Sequence, residues 1–219
     1  MRVRPSLGLC LAVAFALAGC KSPGPGTRRL ITFESDSTES PPAAFDSWRS
    51  GTGPYGEWLV VLAPDAPSGR NVLAQLSKDP TEKRFPMAIL RDKPAGDVRI
   101  RAKVKAITGN VDRACGLVVR WMDDAHYYVT RANALEGNVR LYHFVGGRRT
   151  QIGDWSGPVT AGVWHDYSFE VVGDRLKVSW DGQVVIDMKD TTIAAPGLVG
   201  LWTKADSVTA FDDVEVTRL

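Results

Sequence analysis

Residues 98–106 read Val98-Arg99-Ile100-Arg101-Ala102-Lys103-Val104-Lys105-Ala106, apolar and cationic in unbroken alternation. A period of two puts Val98, Ile100, Ala102, Val104 and Ala106 on one side and Arg99, Arg101, Lys103 and Lys105 on the other. Only a half-buried β-strand keeps the two sets apart. The four cations read most simply as its wet face, and a specific anion site is the lesser reading. Strand-like segments recur at 57–62, 71–77, 85–91, 114–122, 126–134, 138–145, 148–155, 164–172, 174–180, 183–188, 197–203 and 210–217. Gly146-Gly147, Gly173-Asp174 and Asp181-Gly182 fall between such runs, and these pairs tolerate the positive φ of tight antiparallel hairpins. No stretch of the mature chain carries a convincing three-turn helical pattern, and no internal repeat is visible. The fold class is therefore all-β, an antiparallel β-sandwich or barrel.

The N-terminus has a different character. Arg2 and Arg4 precede an apolar run from Leu7 to Ala18, long enough for the core of a signal peptide and too short to span a bilayer. The run ends Leu17-Ala18-Gly19-Cys20, which resembles the lipobox of bacterial lipoproteins. The peptidase needs small residues beside the scissile bond, and only a thiol accepts the diacylglycerol. Residues 1–19 are thus expected to be a lipoprotein signal peptide and Cys20 the lipidated N-terminus. The chain is expected to be exported and held to a membrane through that lipid alone. By the same resemblance, Lys21 in place of Asp points to the outer membrane rather than the inner. Residues 20–29, with Pro and Gly alternating at 23–26, have little to bury and are expected to form a tether. The β-domain is expected over 30–219, with an irregular stretch of Ser, Asp and Pro42 running up to Trp48.

Composition narrows the partners. The chain has 27 Lys and Arg against 25 Asp and Glu, and loss of Arg2 and Arg4 with the signal peptide brings the two into balance. A neutral chain makes no general case for nucleic acid. A monomer is expected. With Cys20 consumed by lipid, Cys115 stands alone in the apolar run 114–119 and is expected to be a small core residue.

The run Gly116-Leu117-Val118-Val119-Arg120-Trp121-Met122-Asp123-Asp124-Ala125-His126-Tyr127-Tyr128-Val129-Thr130-Arg131-Ala132-Asn133 resembles the central hairpin of concanavalin A-like jelly rolls. Among these it is similar to laminin-G-like and 3-keto-disaccharide hydrolase-like domains. Trp164-His165, Trp180-Asp181-Gly182, Gly197-Leu198-Val199-Gly200-Leu201-Trp202 and Phe211-Asp212-Asp213-Val214 fit the same pattern. The resemblance spans roughly 30–219. It implies two packed antiparallel sheets, one of them concave and able to hold a glycan. The fold hosts lectins, hydrolases and plain adhesion modules, so it implies no single activity.

Sugar binding needs aromatic faces and planar polar groups. Arg120, Tyr128, Arg131 and Asn133 supply these on one hairpin, and Trp202, Lys204 and Asp206 near the last turn. Each aromatic could equally fill the core. If Arg120 and Tyr128 face each other across the hairpin, period two sends Arg131 and Asn133 to the opposite face, unless a bulge or a strand-end site reunites them. Arg120, inside an apolar run, must face a groove or meet a carboxylate. Asp213, beside Asp212, is a possible structural calcium ligand, as the resemblance implies.

Catalytic residues are not identifiable. Glycosidases need two carboxylates at fixed separation, and Asp123, Asp124 and Glu136 at expected turns have nothing to single them out. His126, His143 and His165 lack metal-ligand spacing. Three readings remain open: a glycan-binding lipoprotein, an enzyme on modified saccharides of the 3-keto-disaccharide hydrolase-like type, and a structural or adhesion module.

Overall fold

Fifteen strands and no helix form among residues 26–219, the part that the computed structural model describes. The expected signal peptide, Cys20 and most of the expected tether lie outside the described residues. The first sheet runs β13 (Gln183–Lys189), β12 (Arg175–Trp180), β11 (His165–Val172), β6 (Val98–Thr108), β15 (Val208–Arg218), β4 (Asn71–Gln75) and β3 (Trp58–Leu62). β1 (Arg28–Ile31) also pairs with β15, beyond the stretch that β4 takes. The second sheet runs β10 (Arg148–Ser156), β9 (Asn138–Val145), β8 (His126–Asn133), β7 (Ala114–Asp123), β14 (Leu198–Trp202), β5 (Arg84–Leu90) and β2 (Phe45–Gly51). Every pairing is antiparallel.

The alternating strand behaves as its period demands. Val98, Ile100, Ala102, Val104 and Ala106 of β6 are buried between the sheets. Arg99, Arg101, Lys103 and Lys105 face outward, where Glu170, Asp166 and Asp65 meet them. The inter-sheet core gathers Trp58, Leu73, Leu117, Tyr167, Phe169, Trp180, Leu201 and Phe211, with Cys115 among them. Burial pushes the Cys115 thiol up to about 12, so it stays protonated and inert. Gly146, Gly147, Gly173 and Gly182 all take positive φ at the hairpin turns where the sequence places them.

The stretch expected to be irregular up to Trp48 contains a strand, β2. Its sequence Phe-Asp-Ser-Trp-Arg-Ser-Gly puts one aromatic on each side, so no period-two signal marks it. It pairs because β5 offers an open edge.

A second apolar cluster lies on the outer face of the second sheet: Phe85, Met87, Val118, Tyr127, Val129, Tyr142, Phe144 and Trp202. Phe85 on β5 and Phe144 on β9 have ring centroids 5.4 Å apart although β14, β7 and β8 lie between their strands. In a flat sheet those backbones stand roughly 19 Å apart. The second sheet is therefore strongly coiled, concave on this face, and two of its diagonal corners meet. The Ser50 and Tyr127 hydroxyls close the junction at 2.7 Å.

Candidate functional site

The register of the second sheet sets Asp154, Arg140, Arg131, Gly116, Trp202, Met87 and Trp48 in one row across all seven strands of the concave face. Charged groups occupy one end, a tryptophan the other. Gly116 has a local reason: a Cβ there would come within 3.0 Å of Trp202 Cε3 and 2.7 Å of Thr130 O. The missing side chain lets the Trp202 indole lie over β7.

At the charged end the chain builds a network from three turns, 109–113, 134–137 and 203–207. The turn after Asn133 uses Gly137 at φ 62° and brings Glu136 back over β8. Arg131 then grips Glu136 with two bonds, Nη1 to Oε1 at 2.9 Å and Nη2 to Oε2 at 3.1 Å, and Nη2 also donates to Asn138 Oδ1 at 2.6 Å. Asn133 Nδ2 donates to Glu136 Oε1 at 3.0 Å and to Asp112 Oδ1 at 2.8 Å. Lys204 Nζ takes the other Asp112 oxygen at 2.5 Å. Asp206 accepts the backbone N–H groups of Asn110, Val111 and Asp112 at 2.7, 3.1 and 2.9 Å. That turn requires Gly109, at φ 147°, because a Cβ would sit 1.8 Å from Asp112 O.

The network sorts its acids. Arg131 holds Glu136 well down, to about 2. Burial pushes Asp112 up, against the pull of Lys204. Burial also works against ionisation of Asp206, but its backbone donors together outweigh it and its pKa falls. Asp112 and Glu136 share one amide, so they stand close, yet they do not make a glycosidase pair. Asp112 is only 1% exposed and both its oxygens are engaged, so it cannot approach a scissile bond. Only the side chains of Glu136, Arg140 and Asp154 open to solvent, at 37%, 32% and 47%. Arg140 bridges the other two, Nη1 to Glu136 Oε2 at 2.9 Å and Nε to Asp154 Oδ1 at 3.0 Å. Beside them Arg149 lies over the Tyr142 and Phe85 rings at 4.7 and 5.1 Å. Rigid planar polar groups of this kind can bond to adjacent hydroxyls.

Arg131, Asn133, Lys204 and Asp206 thus meet at one end of the sandwich. Trp202 adjoins them but is fully buried, stacked on Phe85 at 5.5 Å, and acts as support rather than as a sugar platform. The exposed aromatic of the row is Trp48, tilted against Trp121 at 5.0 Å.

Arg120 and Tyr128 lie at the other end, on the inner side; Tyr128 pairs with Val119, and a bulge brings Arg120 to the same side. Arg120 sits in a bulge of β7 at φ 49° and donates to three backbone carbonyls: Gly96 at 3.1 Å, Ile193 at 2.7 Å and Gly173 at 2.7 Å. Tyr128 donates to Asp190 Oδ1 at 2.5 Å and accepts from the N–H of Ile193 at 2.9 Å. Both tie loops together. Its hydrogen-bond partners are carbonyls, and the carboxylate it meets, Asp97, makes only a long ion pair at 3.9 Å.

Asp213 occupies a bulge of β15 at φ 47°. Its Oδ1 accepts from Ser68 Oγ at 2.7 Å, and its N–H donates to Asp212 Oδ1 at 2.7 Å. Asp212 Oδ2 takes the Ser68 N–H at 3.1 Å. Calcium wants six to eight oxygens. Two carboxylates already committed to Ser68 and backbone do not make that set. Among the described residues no group of three or more His, Cys, Asp or Glu could hold a metal ion.

The sequence pointed to Arg131, Asn133, Lys204 and Asp206, did not distinguish Glu136, and missed Asp112, Asp154, Asn138 and Arg140. The last two were within reach, because the parity that puts Arg131 and Asn133 on one face puts their cross-strand partners there too. Asp112 gave no signal: it is a single acid in a turn.

No protein-family model and no curated protein matches the chain. Solved structures do resemble it. The carbohydrate-binding module CBM66 from Bacillus subtilis has a TM-score of 0.62 at 19% identity, covering 80% of this chain and 97% of that one. A Bacillus licheniformis β-glucanase gives 0.57 at 11%, covering 90% and 99%. The exoplasmic/lumenal domain of VIP36, in a Ca²⁺- and mannose-bound form, gives 0.55 at 11%, covering 88% and 89%. At such identities the likeness speaks of architecture alone, and it says that this chain folds as a jelly roll of the concanavalin A-like kind.

Proposed function

We propose that the chain is a carbohydrate-binding module without catalytic activity, and that its ligand is held at the Glu136–Arg140–Asp154 end of the concave face. The observation that carries this reading is the fixed array itself. Glu136 is locked by Arg131, Asn133 and Asn138 and in turn fixes Arg140, so the remaining edges of Arg140 and Asp154 are presented at little entropic cost. The carbohydrate-binding module and the mannose-bound lectin domain among the structural neighbours support the same reading. The engaged oxygens of Asp112 weigh against hydrolysis. The meeting of Phe85 and Phe144 favours a second reading, a structural or adhesion module, because it closes the centre of the face.

A glycan array separates these. Arg140→Ala is expected to weaken binding of any hit by about tenfold or more, the size of a lost charged hydrogen bond. Its effect on stability is expected to stay below about 1 kcal/mol, since its ion pairs are partly exposed. Absence of binding across plant, bacterial and host glycans would leave the adhesion reading, and turnover of a bound sugar would restore the enzymatic one.

The lipobox-like run supports a second part of the proposal, that Cys20 carries a lipid anchoring the module to the outer membrane. Cys20→Ala is then expected to move the protein from the membrane to the soluble fraction and to remove the lipid mass from its N-terminal peptide. An unchanged mass and unchanged partitioning would sink the anchor. Asp213 enters this proposal only as a test: calcium is expected to leave the melting temperature unchanged.

A further inference from the structure

Ser168 and Ser179 stand opposite each other on β11 and β12, facing out of the first sheet, with Arg101 of β6 next in the same row. Neither hydroxyl bonds to another group among the described residues. Two short side chains between rows of long ones leave a trough of about 370 Å³, lined by Arg99, Arg101, Asp166, Glu170 and Lys177. Three cations line it, Arg99, Arg101 and Lys177, against two carboxylates that they share with Lys103 just outside. Arg99 and Lys177 both reach toward Glu170, at 3.5 and 3.7 Å. Arg101 and Lys103 both reach toward Asp166, at 3.6 and 2.9 Å. Three of these four contacts are too long for a good charged hydrogen bond. Arg99 Nε is buried with no partner at all. Glu215, which flanks Arg101 on β15, is taken by Arg28. The excess of positive charge is local, because the chain without residues 1–19 is neutral.

We propose that this trough binds an acidic saccharide of the uronate type. Its carboxylate lies among Arg99, Arg101 and Lys177, and its ring hydroxyls meet Ser168, Ser179 and the two rim carboxylates. The mixed lining selects for this chemistry. Asp166 and Glu170 accept hydroxyl protons well but repel a phosphate, whose higher charge two nearby carboxylates oppose. A ligand with one carboxylate and several hydroxyls satisfies every group in the trough. The site lies on the sheet opposite the Glu136 face and does not depend on that face binding anything.

The purified protein is titrated calorimetrically with oligogalacturonate, with a neutral oligosaccharide of the same length and with inorganic phosphate. Saturable binding of the uronate, weakened by salt, is expected. Arg101→Ala and Ser168→Val are each expected to reduce it by about tenfold or more, while Arg140→Ala leaves it unchanged. Both trough substitutions are on a solvent-facing strand surface, and an unchanged circular dichroism spectrum shows that they fold. Absence of uronate binding, equal binding by phosphate or by the neutral sugar, or full binding by both trough variants overturns the proposal.

Discussion

Lys204→Met is expected to cost about 3–5 kcal/mol of stability, read as a lower midpoint in urea unfolding. The loss comes from what stays behind. Asp112 is 1% exposed, and without the ammonium its carboxylate keeps only Asn133 for a partner. Removing one member of a buried pair leaves an uncompensated charge, whereas removing both leaves a cavity and little else. The double variant Lys204→Met with Asp112→Leu is therefore expected to recover most of the loss. The deficit also depends on pH in a definite direction. Burial already raises Asp112, and loss of Lys204 raises it further. A carboxyl whose folded pKa exceeds its unfolded value favours the fold fully below the unfolded value, near 3.8, and loses that contribution as pH rises through the folded one. The single variant should thus be least stable at neutral pH and approach the parent as pH falls toward 4. A deficit independent of pH would mean that Asp112 is not the group responsible.

Arg120→Met should be nearly as damaging, at about 3–5 kcal/mol, for a different reason. The guanidinium joins Gly96, Gly173 and Ile193, residues 24, 53 and 73 positions away in the chain. Its loss strands three carbonyls, each worth about 1–3 kcal/mol when left unsatisfied. Water can reach part of this end, which keeps the total below the sum. Hydrogen exchange should locate the effect: amides of 190–196 lose protection before the strands do. Arg120→Lys should recover little, because one ammonium cannot span three directions that a planar fork covers.

These two residues show where sequence reading succeeds and where it stops. Alternation in β6 gave the strand, its inner face and its wet face, since all three follow from local geometry. Parity likewise separated Tyr128 from Arg131 and Asn133, but Tyr128 pairs with Val119, and Arg120 reaches the inner side only through the bulge. What Arg120 does was out of reach, because its partners are backbone carbonyls of distant loops, and a carbonyl has no signature in sequence. By its type alone Trp202 suits a sugar platform and the core equally. The coil of the second sheet buries it against Phe85, and that coil comes from contacts across three intervening strands. β2 was hidden because an edge strand can form on its neighbour's open hydrogen bonds without a pattern of its own.

The pairing of β1 with β15 has a consequence for orientation. Gly26 donates to Arg218, so the described N-terminus leaves the sandwich beside the C-terminus, and Leu219 donates to Asp97 near Arg120. β15 runs from there through 11 residues to Val208, which pairs with Thr108 beside the Asp112 turn. At about 3.3 Å per residue, the exit point and the Glu136 end are roughly 35 Å apart, at opposite poles of the molecule. On the proposed lipid anchoring, the bilayer would lie below the Arg120 pole. The domain would stand on end like a post, with Glu136, Arg140 and Asp154 at its outward tip, facing whatever lies across the periplasm or beyond the cell.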